Sequence, residues 1–193
     1  MRADLLLSDT DEQLMAAVQG GDTSALGELF HRHHAALYRY FLRMSGSAAL
    51  SEDLTQEVFL RVLRKSETWQ REARFSSWMY RIAHNAFIDH TRKSKWETAM
   101  PEKIDIAAPM SRKLEEDEEH ALLHQALMAM PPDKRELLVL SRFQGLRYDQ
   151  IGELLGVETN TVKVRVFRAL GQLREIYERI SGQPGLSVVG GRS

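Results

Sequence analysis

The chain has 193 residues, with 26 lysines and arginines against 27 aspartates and glutamates, a formal net charge of −1. Apolar residues make up 43% and charged residues 27%, the balance of a folded globular protein rather than a disordered or fibrous one. The absence of cysteine excludes a disulfide scaffold, a cysteine-ligated zinc and a thiol switch of its own.

Helical periodicity runs through most of the chain. The opening apolar run Leu5–Leu7 is too short for a signal peptide, and no stretch approaches the ~18 apolar residues of a membrane span. A cytoplasmic protein with no membrane insertion is expected. Thr10 with Gln13 three residues on predicts a capping box and a helix over 10–19, stopped by Gly20 and Gly21. Asp22 or Thr23 caps a second helix, whose apolar positions Leu26, Leu29, Phe30, Leu37 and Phe41 carry it to about residue 44. Ser45, Gly46 and Ser47 break it, and a third helix is predicted from Ser51 to about residue 65. A loop over 66–74 precedes a fourth helix over about 76–93.

Periodicity then lapses around Pro101 and Pro109 and resumes with Leu122, Leu123 and Leu127, ending at Pro131 and Pro132. Asp133 is expected to cap a helix to about residue 143. Two further helices follow, over 148–155 and 159–179, split at Gly156. The predicted fold is therefore all-α, with two small helical domains over 1–95 and 119–181. A flexible acidic linker over 96–118 joins them, a disordered tail covers 182–193, and the domains are expected to move independently.

Charge is segregated along this frame. Residues 71–95 carry six bases (Arg71, Arg74, Arg81, Arg92, Lys93, Lys95) against Glu72 and Asp89, whereas 115–119 are wholly acidic. Residues 160–174 carry Lys163, Arg165, Arg168 and Arg174 with no acid. Two basic patches on separate modules suit a protein that meets a polyanion twice; solvated helix faces would give the same pattern.

The segment from Tyr148 to Lys163 has the layout of a helix-turn-helix: a short amphipathic helix, a glycine turn, then a helix opening on small polar residues. On the second helix Val162, Val166, Ala169 and Leu173 form a core stripe. Thr161, Lys163, Val164, Arg165, Phe167 and Arg168 are the candidate DNA contacts. Arginine suits phosphate or guanine, and Val164 or Phe167 suits a thymine methyl.

Leu54, Val58 and Val62 set the inner face of the third helix, leaving Asp53, Gln56, Glu57, Leu60 and Leu63 outside. Acids beside exposed leucines suit a basic protein surface rather than DNA; packing of the leucines on the first helix fits the spacing equally well. Along 71–92, Arg71, Arg74, Phe75, Ser76, Trp78, Arg81, Asn85 and Arg92 interleave aromatic and basic groups, as single-stranded bases and their backbone require. Trp78 also fits a core position. His31, His33, His34, His120 and His124 lack the further ligands of a metal site, so no metal or cofactor is expected. No phosphate loop, HExxH or nucleophile elbow is present, and no enzymatic activity is expected.

Four blocks carry a family resemblance. They are Asp53 to Phe59, Phe75 to Asn85, Leu127 to Pro132, and Thr161 to Ala169. In this order and spacing the chain resembles a bacterial RNA polymerase sigma factor of the extracytoplasmic-function (ECF) type. The resemblance implies that Asp53, Gln56, Glu57 and Leu63 bind core polymerase. It implies that the loop before Phe75, with Ser76, Arg81 and Asn85, holds the opened −10 strand. Lys163, Val164, Phe167 and Arg168 would enter the −35 major groove, and promoter DNA, core RNA polymerase and an anti-sigma factor are the implied partners. Val164 stands where the family commonly has serine, and Asn160 where it has glycine, which leaves the −35 preference open. A helix-turn-helix regulator acting at operators is the rival reading; it needs neither the acidic Asp53/Glu57 edge nor the aromatic-basic stretch.

Overall fold

A computed structural model describes residues 9–71, 73–97 and 116–182. Among these there is no strand, and no helix is long and apolar enough to cross a membrane. Most of the expected linker and tail lie outside the described residues, apart from helical ends that reach into 96–97 and 116–118.

Helix α1 (Asp11–Gln19) begins with the expected capping box. Thr10 Oγ1 accepts from the Gln13 amide at 3.3 Å, and Gln13 Oε1 accepts from the Thr10 amide at 2.7 Å. Asp22 caps α2 (Thr23–Ser45) by accepting from the Ser24 amide. Gly46 ends α2 at φ +73°, a left-handed conformation that favours glycine.

Helix α3 (Ala48–Arg64) starts three residues before the expected Ser51. Ser47 is the cap, accepting from the Leu50 amide, and the buried Ser51 hydroxyl instead donates to the Ser47 carbonyl. A 3₁₀ turn (Ser66–Thr68) lies inside the expected loop, held by the Gln19 amide donating to the Ser66 and Trp69 carbonyls at 2.9 Å each. Helix α4 (Phe75–Glu97) follows. The core of this unit is the fully enclosed set of Leu14, Met15, Leu29, Leu37, Tyr40, Phe41, Val58, Val62, Phe75 and Met79. Its helices pack through the amphipathic stripes that sequence periodicity marked.

In the second unit α5 (Glu116–Met128) leads to α6 (Pro132–Leu138). Pro132, not Asp133, opens α6: at the first helical position its missing N–H costs nothing. The last turns of the expected 133–143 helix widen into a π turn (Val139–Phe143), with the Gln144 amide donating back to the Val139 carbonyl. Helices α7 (Tyr148–Leu155) and α8 (Thr159–Ser181) form the helix-turn-helix. Gly156 makes its turn at φ +67°. Gly152 makes the turn tight: a Cβ there would stand 2.6 Å from the Val157 carbonyl oxygen, so no larger residue fits without moving backbone. Ile151 of α7 and Val162, Val166 and Ala169 of α8 are buried.

The two units are in contact in this structure. Helix α2 meets α5, α6 and the π turn, and α4 meets α7. The Tyr40 hydroxyl donates to Glu136 Oε1 at 2.6 Å, and His84 Nδ1 lies 2.7 Å from the same oxygen. Tyr80 donates to Gln144 Oε1 at 2.5 Å, and Gln150 Nε2 donates to Ser77 Oγ at 2.7 Å. The buried Arg135 guanidinium donates to the carbonyls of Met44, Met128 and Met130, tying the C-terminal ends of α2 and α5 to α6. Arg43 stacks over the Phe143 ring, 4.4 Å from its centre. A polar, hydrogen-bonded seam of this kind is invisible to hydrophobic periodicity, which reads its residues as surface.

Candidate polymerase and nucleic-acid surfaces

On α3 the inner stripe is buried as expected: Leu54, Val58 and Val62 face the core. Asp53 and Gln56 point to solvent, and Glu57 is half-buried. Leu60 and Leu63 are 48% and 42% exposed, so the structure does not pack them on α1. Glu57 accepts from Arg61 at 2.7 Å one turn on, and Arg61 continues to Asp89 of α4 at 2.9 Å. The face is therefore acidic and apolar together, with Arg61 paired beneath it and Arg64 exposed at its C-terminal end.

Beside it, an open groove of about 520 Å³ runs between α2 and α3, lined by Phe30, His34, Tyr38, Glu52 and Gln56. Phe30 stacks on His34 with ring centres 5.0 Å apart and is 41% exposed. Helical spacing placed Phe30 with the core and missed it as a surface residue. Its i, i+4 ring partner His34 is the only sequence sign of that surface.

The stretch before and along α4 divides. Arg71, Arg74, Arg81, Asn85 and Arg92 are exposed, and Ser76 is half-buried. Arg92 is shared with Asp89 at 3.3 Å. Phe75 and Trp78, assigned above to the nucleic-acid surface, are instead core residues with 0% and 6% exposure. Their rings lie 6.3 Å apart, and Phe75 also packs against His33. Trp78 shares its helix stripe with Ile82, four residues on, which carries it inward. These two rings set the pitch of α4 and so aim the arginines beside them.

On α8 the division is the expected one. Val162, Val166 and Ala169 are buried, Thr161 is half-buried, and Lys163, Val164, Arg165, Phe167 and Arg168 are exposed. Phe167 is 79% exposed, an unusual cost for a phenyl ring unless it has a partner to meet.

A family model of sigma-70 region 2 matches residues 29–97, and one of sigma-70 region 4 matches residues 120–173. The ECF RNA polymerase sigma factor SigE of Mycolicibacterium smegmatis is 36% identical over 177 residues, covering 86% of this chain and 68% of that protein. The chain belongs to the ECF sigma factors of RNA polymerase. The RNA polymerase sigma factor CarQ of Myxococcus xanthus is 32% identical over 164 residues, covering 84% of this sigma factor and 94% of its relative. Among solved structures, CnrH in complex with the cytosolic domain of CnrY has a TM-score of 0.70 at 22% identity, over 89% of this chain and 99% of that one. The sigma factor RpoE of Bartonella quintana, solved with the anti-sigma factor NepR, scores 0.66 at 22% identity over 79% and 96%. At those identities the likeness establishes the fold. Sigma factors direct RNA polymerase to promoters as regulatory subunits, so promoter-specific transcription initiation is the function of this chain. The region 2 match spans α2 to α4, and the region 4 match spans α5 through most of α8.

Proposed function

We propose that this sigma factor divides its work among three helix faces. Asp53, Gln56, Glu57, Leu60 and Leu63 on α3 dock on core polymerase. Arg71, Arg74, Ser76, Arg81, Asn85 and Arg92 hold the single strand exposed when the −10 element melts. Thr161, Lys163, Val164, Arg165, Phe167 and Arg168 enter the −35 major groove. The protein catalyses nothing itself, and an anti-sigma factor is among its partners, as for RpoE of Bartonella quintana.

The observation that carries this reading is the outward pairing of acids with leucines on α3, opposite a fully buried stripe. An operator-binding protein has no use for that face. Adding the purified protein to core polymerase should give promoter-dependent RNA synthesis; none would favour the operator-binding rival.

Melting is tested separately. Arg81→Ala with Asn85→Ala should leave capture by core polymerase intact while permanganate reactivity of the −10 thymines falls. Both side chains are exposed, so the fold should be retained. Unchanged reactivity would take the strand away from α4.

The −35 assignment has its own signature. Arg168→Ala and Lys163→Ala should weaken duplex binding, by about 1–3 kcal/mol for a residue that makes a bidentate base contact. Phe167→Ala should relax sequence preference instead, because an exposed phenyl ring reads shape and methyl groups rather than charge. Duplex titrations in which all three variants match the parent would reverse the orientation assigned to α8.

A further inference from the structure

Helix α1 lies before the region 2 match, yet it holds the loop assigned to the −10 strand at both ends. That loop leaves α3 at Lys65, carries Arg71 and Arg74, and enters α4 at Phe75. At its near end the Gln19 side-chain amide donates to the Ser66 and Trp69 carbonyls, on either side of the 3₁₀ turn. At its far end Glu12 Oε1 accepts from the Phe75 backbone amide at 3.2 Å. Glu12 and Gln19 are seven residues apart, two helical turns, so one stripe of α1 makes both contacts.

Each contact has a physical reason. The first amides of a helix have no carbonyl one turn behind them, and a carboxylate there also meets the positive end of the helix dipole. Glu12 supplies both to α4 from a different helix. Phe75 is gripped a second time, because its ring packs on His33 with centres 5.4 Å apart. His33 Nε2 in turn lies 2.6 Å from Asp11, the residue before Glu12. Arg32 donates to the Asp9 carbonyl at 2.7 Å, so the end of α1 that caps α4 is itself anchored on α2.

From this double attachment, and resting on the −10 assignment above, we infer that Gln19 and Glu12 are positioning residues for the opened strand. Both side chains are half-buried and act through the backbone they hold, not by contact with DNA. They fix where Arg71 and Arg74 stand relative to Ser76 and Arg81 on α4. A loop already held in place loses less conformational freedom when the strand is bound.

Isosteric exchanges test this with opposite expected results. Gln19→Glu keeps the shape but, at neutral pH, removes both donors and sets a carboxylate against two carbonyls. Glu12→Gln keeps an acceptor for the Phe75 amide. With core polymerase and promoter DNA, Gln19→Glu should lower permanganate reactivity of the −10 thymines roughly tenfold, the scale of one or two net hydrogen bonds. Capture by core polymerase and binding of a −35 duplex should stay at the parental level. Glu12→Gln should match the parent, and Glu12→Ala should share the Gln19→Glu defect. Parental melting by Gln19→Glu would show that the side chain only fills space, and overturns the proposal. Should Gln19→Glu lose capture through misfolding, the Glu12 pair decides: equal melting by Glu12→Ala and Glu12→Gln overturns it. Arg81→Ala with Asn85→Ala is the control for the reading beneath. If that pair lowers melting and Gln19→Glu does not, the strand lies on α4 and α1 has no part in placing it. If only Gln19→Glu lowers melting, the loop holds the strand without Arg81 and Asn85, and the positioning role stands. If neither does, both assignments fall.

Discussion

Asp53→Lys with Glu57→Lys should abolish capture by core RNA polymerase while leaving the melting temperature close to that of the parent. Asp53 is exposed, and both residues lie off the buried Leu54, Val58 and Val62 stripe. The stability lost is limited to the Glu57–Arg61 pair, worth about 0.3–0.5 kcal/mol on a helix surface. Arg61 keeps its second carboxylate, Asp89. Against a basic partner, two reversals place like charges in register, which costs several kcal/mol of binding. A loss of about 3 kcal/mol is already more than a hundredfold in affinity. The readout is a pull-down with core polymerase beside a thermal melt. Capture at the parental level would remove α3 as the docking face. Loss of both capture and fold would show that the acids serve stability.

The second large effect separates burial from contact. Trp78→Ala should lower the stability of the protein by about 3–5 kcal/mol, the usual consequence of emptying a large aromatic site. That is a large share of the ~5–15 kcal/mol available to a folded domain. Trp78→Phe refills much of the volume and should cost far less. A base-stacking tryptophan on the surface would behave oppositely, with DNA binding lost and the melt unchanged. Denaturant unfolding of the two variants decides, because Trp78 is 6% exposed and enclosed with Phe75.

The limits of sequence reading follow from the same residues. Caps and stops were legible because they are local: Thr10 with Gln13, Asp22, Gly46 and Gly156 all act where their neighbours in sequence indicate. Buried stripes on α3 and α8 were legible because one face of each helix is uniformly apolar. Ser47 and Ser51 show where that logic fails. Two serines one turn apart can each cap, and the structure gives the task to the first. The wheel of α4 was ambiguous at Trp78 because aromatic residues serve cores and bases alike. The π turn at Val139–Phe143 leaves no mark in periodicity, since its residues remain apolar through Leu140. The candidate site was legible as three faces; the groove at Phe30 and the contact between the units were not. Seam residues such as Ser77, Gln144 and Gln150 have no compositional signature, and only three-dimensional placement brings them together.

The bond from Tyr40 to Glu136 joins residues 96 positions apart in the chain. On a ribosome adding ~5–20 residues per second, that separation is a delay of about 5–20 s between the two partners. During it the first unit has emerged while Glu136, Gln144 and Gln150 have not yet been made. Its α4 face is therefore born uncovered, with Tyr80 and His84 facing water, and is closed only by the second half of its own synthesis. In a chain stalled at residue 135, before Glu136, Gln144 and Gln150 are made, Ser77→Cys should react with a soluble thiol reagent much faster than in the released full-length protein. Equal rates would mean that the face is shielded before its partners exist. A nascent chain of this protein thus presents Ser77, Tyr80 and His84 before the residues that meet them in the second unit have been made.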